Sequence, residues 1–229
     1  MRQYARVVTP IVLGVLLAGC GGPSDGEARE AREALRTARQ KVVAAGSARV
    51  EATMATGSRL TARSTGALDW SDGVRGTLTV RVTGGELAAS TRELGGDPSQ
   101  TRYLPDAYYT RMSERFADLQ GGRRWIRRPY DTGSDLAPAD TLRDLAGAAD
   151  VHRVGRETVR GTGTTRYRGT VGRRHIDVWL DARHLLVRRT QHVGDVTATV
   201  VYREYGARAE VERPAERDTV DFADVAGAG

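Results

Sequence analysis

Several stretches of this 229-residue chain carry side chains whose type and spacing would do chemistry. "YDTGS", residues 130–134, sets Asp131 in an Asp-Thr-Gly-Ser tetrapeptide, a carboxylate of the kind that works in pairs sharing one proton. No second Asp-Thr-Gly occurs, and the preceding "RRWIRRP" is not the apolar strand that would bury such a group. Asp131 is therefore expected in a loop before a helix. "GTGTTR", Gly161 to Arg166, begins like a phosphate-cradling loop but lacks a third glycine and lies between strand patterns, so a hairpin loop is expected. His152, His175, His184 and His192 fall at no metal-ligand spacing, and no Gly-x-Ser-x-Gly presents a nucleophilic serine. "RRWIRR", Arg123 to Arg128, interleaves arginine with Trp125. It suits a phosphate or an anionic lipid headgroup, and equally an amphipathic strand whose arginines are solvated. No enzyme, no metal and no cofactor is expected.

The remaining reactive group is Cys20, the single cysteine, in "VLLAGCGG". Arg2 and Arg6 precede the apolar run "VVTPIVLGVLLAG", too short for a transmembrane helix, which needs about 20 apolar residues. Leu17-Ala18-Gly19-Cys20 resembles the bacterial lipobox, where a signal peptidase cuts before the cysteine and its thiol is acylated. Residues 1–19 are then a lipoprotein signal peptide, 20–26 a short tether, and 27–229 a single domain. The location implied is the extracytoplasmic face of the cell membrane. With no second cysteine, stability rests on packing rather than disulfides. The net charge of +6 falls to about +4 once Arg2 and Arg6 leave, and arginines alternate with acids instead of clustering, which argues against nucleic-acid binding.

Elements must position these groups. "EAREAREALRTARQKVVAA", Glu27 to Ala45, places Ala28, Ala31, Leu35, Ala38, Val42 and Ala45 at helical spacing, an Ala-rich stripe suited to lying flat on a sheet. Gly46 can end that helix. Period two follows in "SARVEATMAT" and "GTLTVRV", with a turn at Gly84-Gly85 expected to pair Val82 with Leu87 and Val80 with Ala89. In the middle, Tyr108-Tyr109 and "RWIRR" read as short strands, and Leu136, Leu142, Leu145 and Ala149 fit a helix opened by Pro138 or capped by Asp140. Beyond Val151 the alternation is clearest. Tyr167, Gly169 and Val171 share a face with Ile176, Val178 and Leu180 through a loop at 172–175 pairing Val171 with Ile176. Gly194-Asp195 makes a two-residue turn pairing Val193 with Val196 and Gln191 with Ala198, and Val200 and Tyr202 extend the same face. The opposite face, with Arg166, Arg168, Asp177, Thr197, Thr199 and Arg203, should be wet.

"DVHRVGRETVRGTGTTRYRGTV", "HIDVWLDARHLLVRR" and "YREYGARAEVERP", about a third of the chain, resemble the actinobacterial lipoproteins of the LppX, LprA, LprF and LprG group, whose fold is similar to LolA and LolB. The resemblance implies an α+β fold: a strongly curved antiparallel β-sheet, a half-barrel, with helices packed on its concave face. It also implies an apolar cavity that binds and carries acylated lipids or lipoglycans, and no catalytic residue. Strand alternation nominates Val80, Val82, Tyr108, Trp125, Tyr167, Val171, Ile176, Val178, Leu180, Val200 and Tyr202 as its wall. The rival expectation is a lipid-anchored protein-interaction or sensor module of the same fold, with an envelope protein as partner and no lipid ligand. The apolar positions are mostly Ala and Val, with only two phenylalanines, which fits either a roomy pocket or a thin filled core.

Overall fold

The computed structural model describes residues 25–130 and 137–226. Residues 1–19, expected as a leader, and Cys20, Asp131 and Leu136 lie outside them. In chain order the elements are α1 (Asp25–Ala45), β1 (Ser47–Thr56), β2 (Leu60–Asp69), β3 (Arg75–Gly84), α2 (Ala88–Gly95), β4 (Ser99–Leu104), β5 (Ala107–Arg111), α3 (Glu114–Leu119) and β6 (Trp125–Pro129). There follow α4 (Pro138–Ala146), β7 (His152–Val159), β8 (Thr162–Val171), β9 (Arg174–Asp181), β10 (Leu186–Val193), β11 (Val196–Arg203), β12 (Thr219–Asp221) and α5 (Phe222–Ala226). Helix α1 starts at Asp25, so the last two residues assigned to the tether are helical.

The strands form one open sheet in the order β12-β6-β5-β4-β3-β2-β1-β11-β10-β9-β8-β7. Every pairing is antiparallel except β12 on β6. The long-range join is β1 on β11, which unites the first and second halves of the chain in full register from Arg49–Arg203 to Thr56–Val196. A single core collects Leu78 of β3, Tyr167 of β8, Leu35 of α1 and Leu142 of α4. Strands β3 and β8 are six spacings apart in the sheet, about 29 Å if flat, whereas two packed helices span about 20 Å. The sheet must therefore curve around the helices. This is the expected α+β architecture.

The α1 stripe forms as its spacing dictates: Ala28, Ala31, Leu35, Ala38 and Val42 are all buried. The alanines let α1 lie close to the sheet, and Leu35 supplies the bulk. At Gly46, with φ of +68°, the N–H donates to the carbonyls of Val42 and Val43 at 3.3 and 3.2 Å, and the chain turns directly into β1. Pro138 opens α4 at its first turn, where a missing N–H costs nothing. Leu142 and Leu145 of α4 are fully buried against α1 and the sheet. Among the described residues no helix is long and apolar enough to cross a membrane.

Two local expectations are corrected. The Gly84-Gly85 turn does not make a hairpin; Val80 pairs with Ser64 and Ser99, and the chain enters α2 instead. The Glu86 and Leu87 N–H groups donate to Ser58 and Arg59 across the end of β2, and Gly85 (φ +105°) passes so close that a Cβ would meet the Arg59 carbonyl at 2.4 Å. The β8–β9 turn is the two residues Gly172-Arg173, so Val171 pairs with Arg174 and Gly169 with Ile176. A shift of two leaves every side chain on its predicted face. The Gly194-Asp195 turn has the predicted register. Strand β2, "LTARSTGALD", carries too few large apolar residues for its alternation to stand out.

Candidate functional site on the inner face of the sheet

Register decides which nominated residues can meet. Val178 lies opposite Arg189, which lies opposite Val200, then Ala52, Ser64, Val80 and Ser99 in turn. One strand position along, Ile176 leads through Gln191, Ala198, Met54 and Ala62 to Val82. Tyr202 joins the same face through Val50, Gly66 and Leu78, and Tyr108 joins it through Tyr103 and Gly76. All nominated wall residues except Trp125 therefore share the inner, helix-bearing face.

Trp125 is a correction. It lies opposite Arg111, packs with Ala107 and Tyr109, and carries the Arg102 guanidinium 4.6 Å above its ring, on the outer face. The cause is parity: Trp125 is one residue from Ile126, which points inward opposite Thr110, and local sequence does not say which of the two faces the helices.

The inner face has two regions. Under the helices, Ile176 and Val178 are fully buried, and Leu180 and Tyr202 nearly so; Tyr167 is buried and Val171 partly buried in the same core. These residues pack in one core with α1 and α4, and of them Tyr167 also borders a hollow beside α1. Arg189 reaches from this face to the Thr141 hydroxyl of α4 and ties helix to sheet. Burial pushes the phenol of Tyr202 up, so it stays neutral and apolar in character.

Beyond the helices the face is bare. Met54, on the inner face of a central strand, is 47% exposed. Around it Ala52, Ser64, Val80, Ala198 and Val200 are half-buried, with Ala62 and Val82 lining the edge. None of these side chains is charged. The opposite side of the same strands carries Arg49, Glu51, Arg63, Arg81 and Arg203. The result is an open strip of uncharged, mostly small side chains on the concave side of the sheet, a trough by virtue of that curvature. At the far side of the sheet Tyr108 stacks between Tyr103 and Tyr130 at centroid distances of 6.0 and 5.9 Å. Burial pushes the Tyr130 phenol up to about 12 and Tyr103 higher still, so these two phenols are uncharged throughout the physiological range.

A second hollow, about 580 Å³, lies between the first turns of α1 and strands β7 and β8, lined by Glu30, Ala31, His152, Val154 and Tyr167. That volume is within the usual range for small-ligand pockets, about 300–1,000 Å³. Among the described residues no group of three or more His, Cys, Asp or Glu side chains is placed to hold a metal.

No protein-family model matches the chain. "Putative lipoprotein SCO4650" of Streptomyces coelicolor is 42% identical over 212 residues, covering 83% of this chain and 74% of the relative. A Streptomyces griseus protein, "Uncharacterized 31.2 kDa protein in rplA-rplJ intergenic region", is 33% identical over 238 residues, covering 82% of this chain and 78% of the relative. Among solved structures, LprF from Mycobacterium bovis aligns with a TM-score of 0.54 at 15% identity, over 85% of this chain and all (100%) of LprF. Mycobacterium tuberculosis LppX aligns at 0.53 and 13% identity, over 80% of this chain and 99% of LppX. The chain belongs to the family of this Streptomyces coelicolor lipoprotein, and it shares the fold of LprF and LppX.

For this lipoprotein, sequence alternation found the inner face but not its bare part. Met54, Ala52, Ala62 and Ala198 were legible only as weak members of alternating runs, because Ala contributes little to any apolar pattern. The polar outer face also departs from expectation. Asp177 was expected in water and is buried, as is Glu51 on the same face. Arg160, at the β7–β8 turn, grips Glu51 through both guanidinium nitrogens at 2.5 and 2.7 Å, and Arg63 and Arg203 close around it. The Arg160 hydrogen bond holds the Glu51 carboxyl below its ordinary range. The "RRWIRR" stretch is dispersed: Arg127 pairs with Asp221 at 3.2 Å and Arg128 lies 4.0 Å over Phe222.

Proposed function

We propose that this lipoprotein is held at the extracytoplasmic face of the cell membrane by acylated Cys20, and that it binds and carries lipids or lipid-linked molecules along the apolar trough. The observation that carries this reading is Met54, 47% exposed at the centre of the inner face and ringed by uncharged small side chains. A flexible thioether among Ala and Val suits chains of variable shape. Each methylene removed from water there contributes about 0.8 kcal/mol, so an acyl chain needs no hydrogen-bond partner to stay. Binding involves no bond making or breaking, and no catalytic residue or cofactor belongs to the proposal.

Native mass spectrometry of the full chain, purified from membranes in neutral detergent, tests it. Adducts of acyl-lipid mass beyond the covalent modification are the expected result. A chain free of adducts overturns it. One observation favours the second reading, a protein-interaction or sensor module of the same fold: Ile176, Val178, Leu35 and Leu142 are fully buried, so the helix-covered half of the face is filled core. Clean spectra together with a co-purified envelope protein would favour that reading.

A further inference from the structure

The outer face of the second half of the sheet carries a groove of about 510 Å³ that the lipid-carrying proposal leaves unused. Its floor is Trp179, only 2% exposed, whose indole N–H donates to Glu157 at 2.8 Å. Two guanidiniums lie over that ring, Arg188 at 4.4 Å and Arg166 at 4.9 Å from its centroid. Cation–π contact and the planar ring hold both in fixed orientation.

The charges do not balance. Asp177 accepts from Arg166 at 2.7 Å and from Arg168 at 2.9 Å, and Arg166 also reaches Glu157 at 3.0 Å. Burial opposes ionisation of Asp177, yet the two guanidiniums outweigh it and hold the carboxyl below its ordinary range. Three guanidiniums thus face two carboxylates, and Glu157 feels the charge of Arg188 as well as that of Arg166. Arg188 has no ion pair among the described residues, and its Nε is buried without a hydrogen-bond partner. A surplus guanidinium stacked on an aromatic floor, with further N–H and O–H groups along the same walls, is the arrangement that recognises a compact anion.

We infer that this groove binds a phosphate-type anion, with Arg188 as the principal recognition residue and Trp179 as the platform that orients it. The ligand is a phosphate monoester or inorganic phosphate, carried either on a lipid headgroup or in solution. Arg166 and Arg168 hold the groove open, since each is already committed to Asp177. The site is separate from the trough, which lies on the other face of the sheet, so it stands whether or not the trough binds lipid.

The test is a phosphate titration of the full chain in neutral detergent micelles, at constant ionic strength set with chloride, following the Trp179 indole N–H resonance by NMR. A saturable shift is expected, and Arg188→Gln should weaken binding about tenfold or more, the value of a lost charge-assisted contact. Arg188→Lys should bind with intermediate affinity, because it keeps the charge and loses the stacked fork. Thermal midpoints of both variants near that of the parent establish that folding is intact. Neutral vesicles with and without phosphatidic acid separate the sources: R188Q-sensitive retention on the acidic vesicles assigns the anion to a headgroup, and binding of free phosphate alone assigns it to solution. A Trp179 resonance that responds no more to phosphate than to chloride, or an R188Q chain that binds as the parent does, overturns the inference.

Discussion

A charge placed at Met54 and a charge placed at Val178 should have opposite consequences, although both residues belong to the same face of the same sheet. Val178 is fully buried beneath α1 and α4. An aspartate there would be an unpaired charge in the core, costing more than about 4 kcal/mol, a large part of the 5–15 kcal/mol that stabilises a typical domain. Met54→Asp places its carboxylate at a site that is 47% exposed, so the fold should lose no more than about 1 kcal/mol, chiefly strand propensity. The effect on ligand should be inverted. An acyl chain crossing Ala52, Val80 and Val200 would be lifted from the charged position, and losing contact with about four methylenes costs about 3 kcal/mol, roughly 100-fold in affinity. Chemical denaturation measures the first quantity, and the fraction of full chain carrying non-covalent lipid in native mass spectra measures the second. A Met54→Asp chain that retains the parent's lipid fraction would refute the trough as the site. If Val178→Asp instead stayed folded and lost lipid while Met54→Asp kept it, the ligand would lie between the helices and the sheet.

Further outcomes follow from the packing. Leu35→Ala removes a fully buried side chain from the centre of α1 and should destabilise by about 3 kcal/mol in a denaturant melt. Gly169→Ala would put a Cβ 2.8 Å from the end of the Leu145 side chain and 3.3 Å from the Val151 backbone, forcing the fully buried Leu145 to repack; a loss of about 1–3 kcal/mol is expected, with Ser somewhat worse. Asp177 gives a pH test. Its folded pKa lies below the unfolded value of about 3.9, so its contribution is complete above about pH 5 and is lost as pH falls through the folded pKa. Asp177→Asn should be less stable by about 3 kcal/mol at pH 7, leaving Arg166 and Arg168 without their shared acceptor, and should lose less than the parent on acidification from pH 5 to 3. An unchanged acid slope would remove Asp177 from the account.

Much of the fold is carried by short-range pattern. The α1 stripe from Ala28 to Val42 and the strands β8 to β11 follow from spacings of 3.6 and two, and the Gly194-Asp195 turn fixes a hairpin register because two residues allow few geometries. The resemblance of Leu17-Ala18-Gly19-Cys20 to a lipobox is likewise a property of contiguous residues. What pattern does not carry is what lies on top of a face. Ile176 and Met54 belong to one row of inward-pointing side chains linked through Gln191 and Ala198, yet one is sealed by helices and the other is open. Their difference is set by where α1 and α4 end.

The sequence by itself determined which residues alternate, where the first helix runs and which side of each late hairpin is apolar, since all of these depend on neighbours within a few positions. Tertiary structure alone decided that β1 joins β11, that Trp125 faces outward, that Arg160 reaches Glu51 across 109 residues of chain, and that Arg188 is left with charge to spare. Period-two alternation tells which side chains share a face; burial and charge balance depend on partners brought from distant segments, and only the folded chain supplies them.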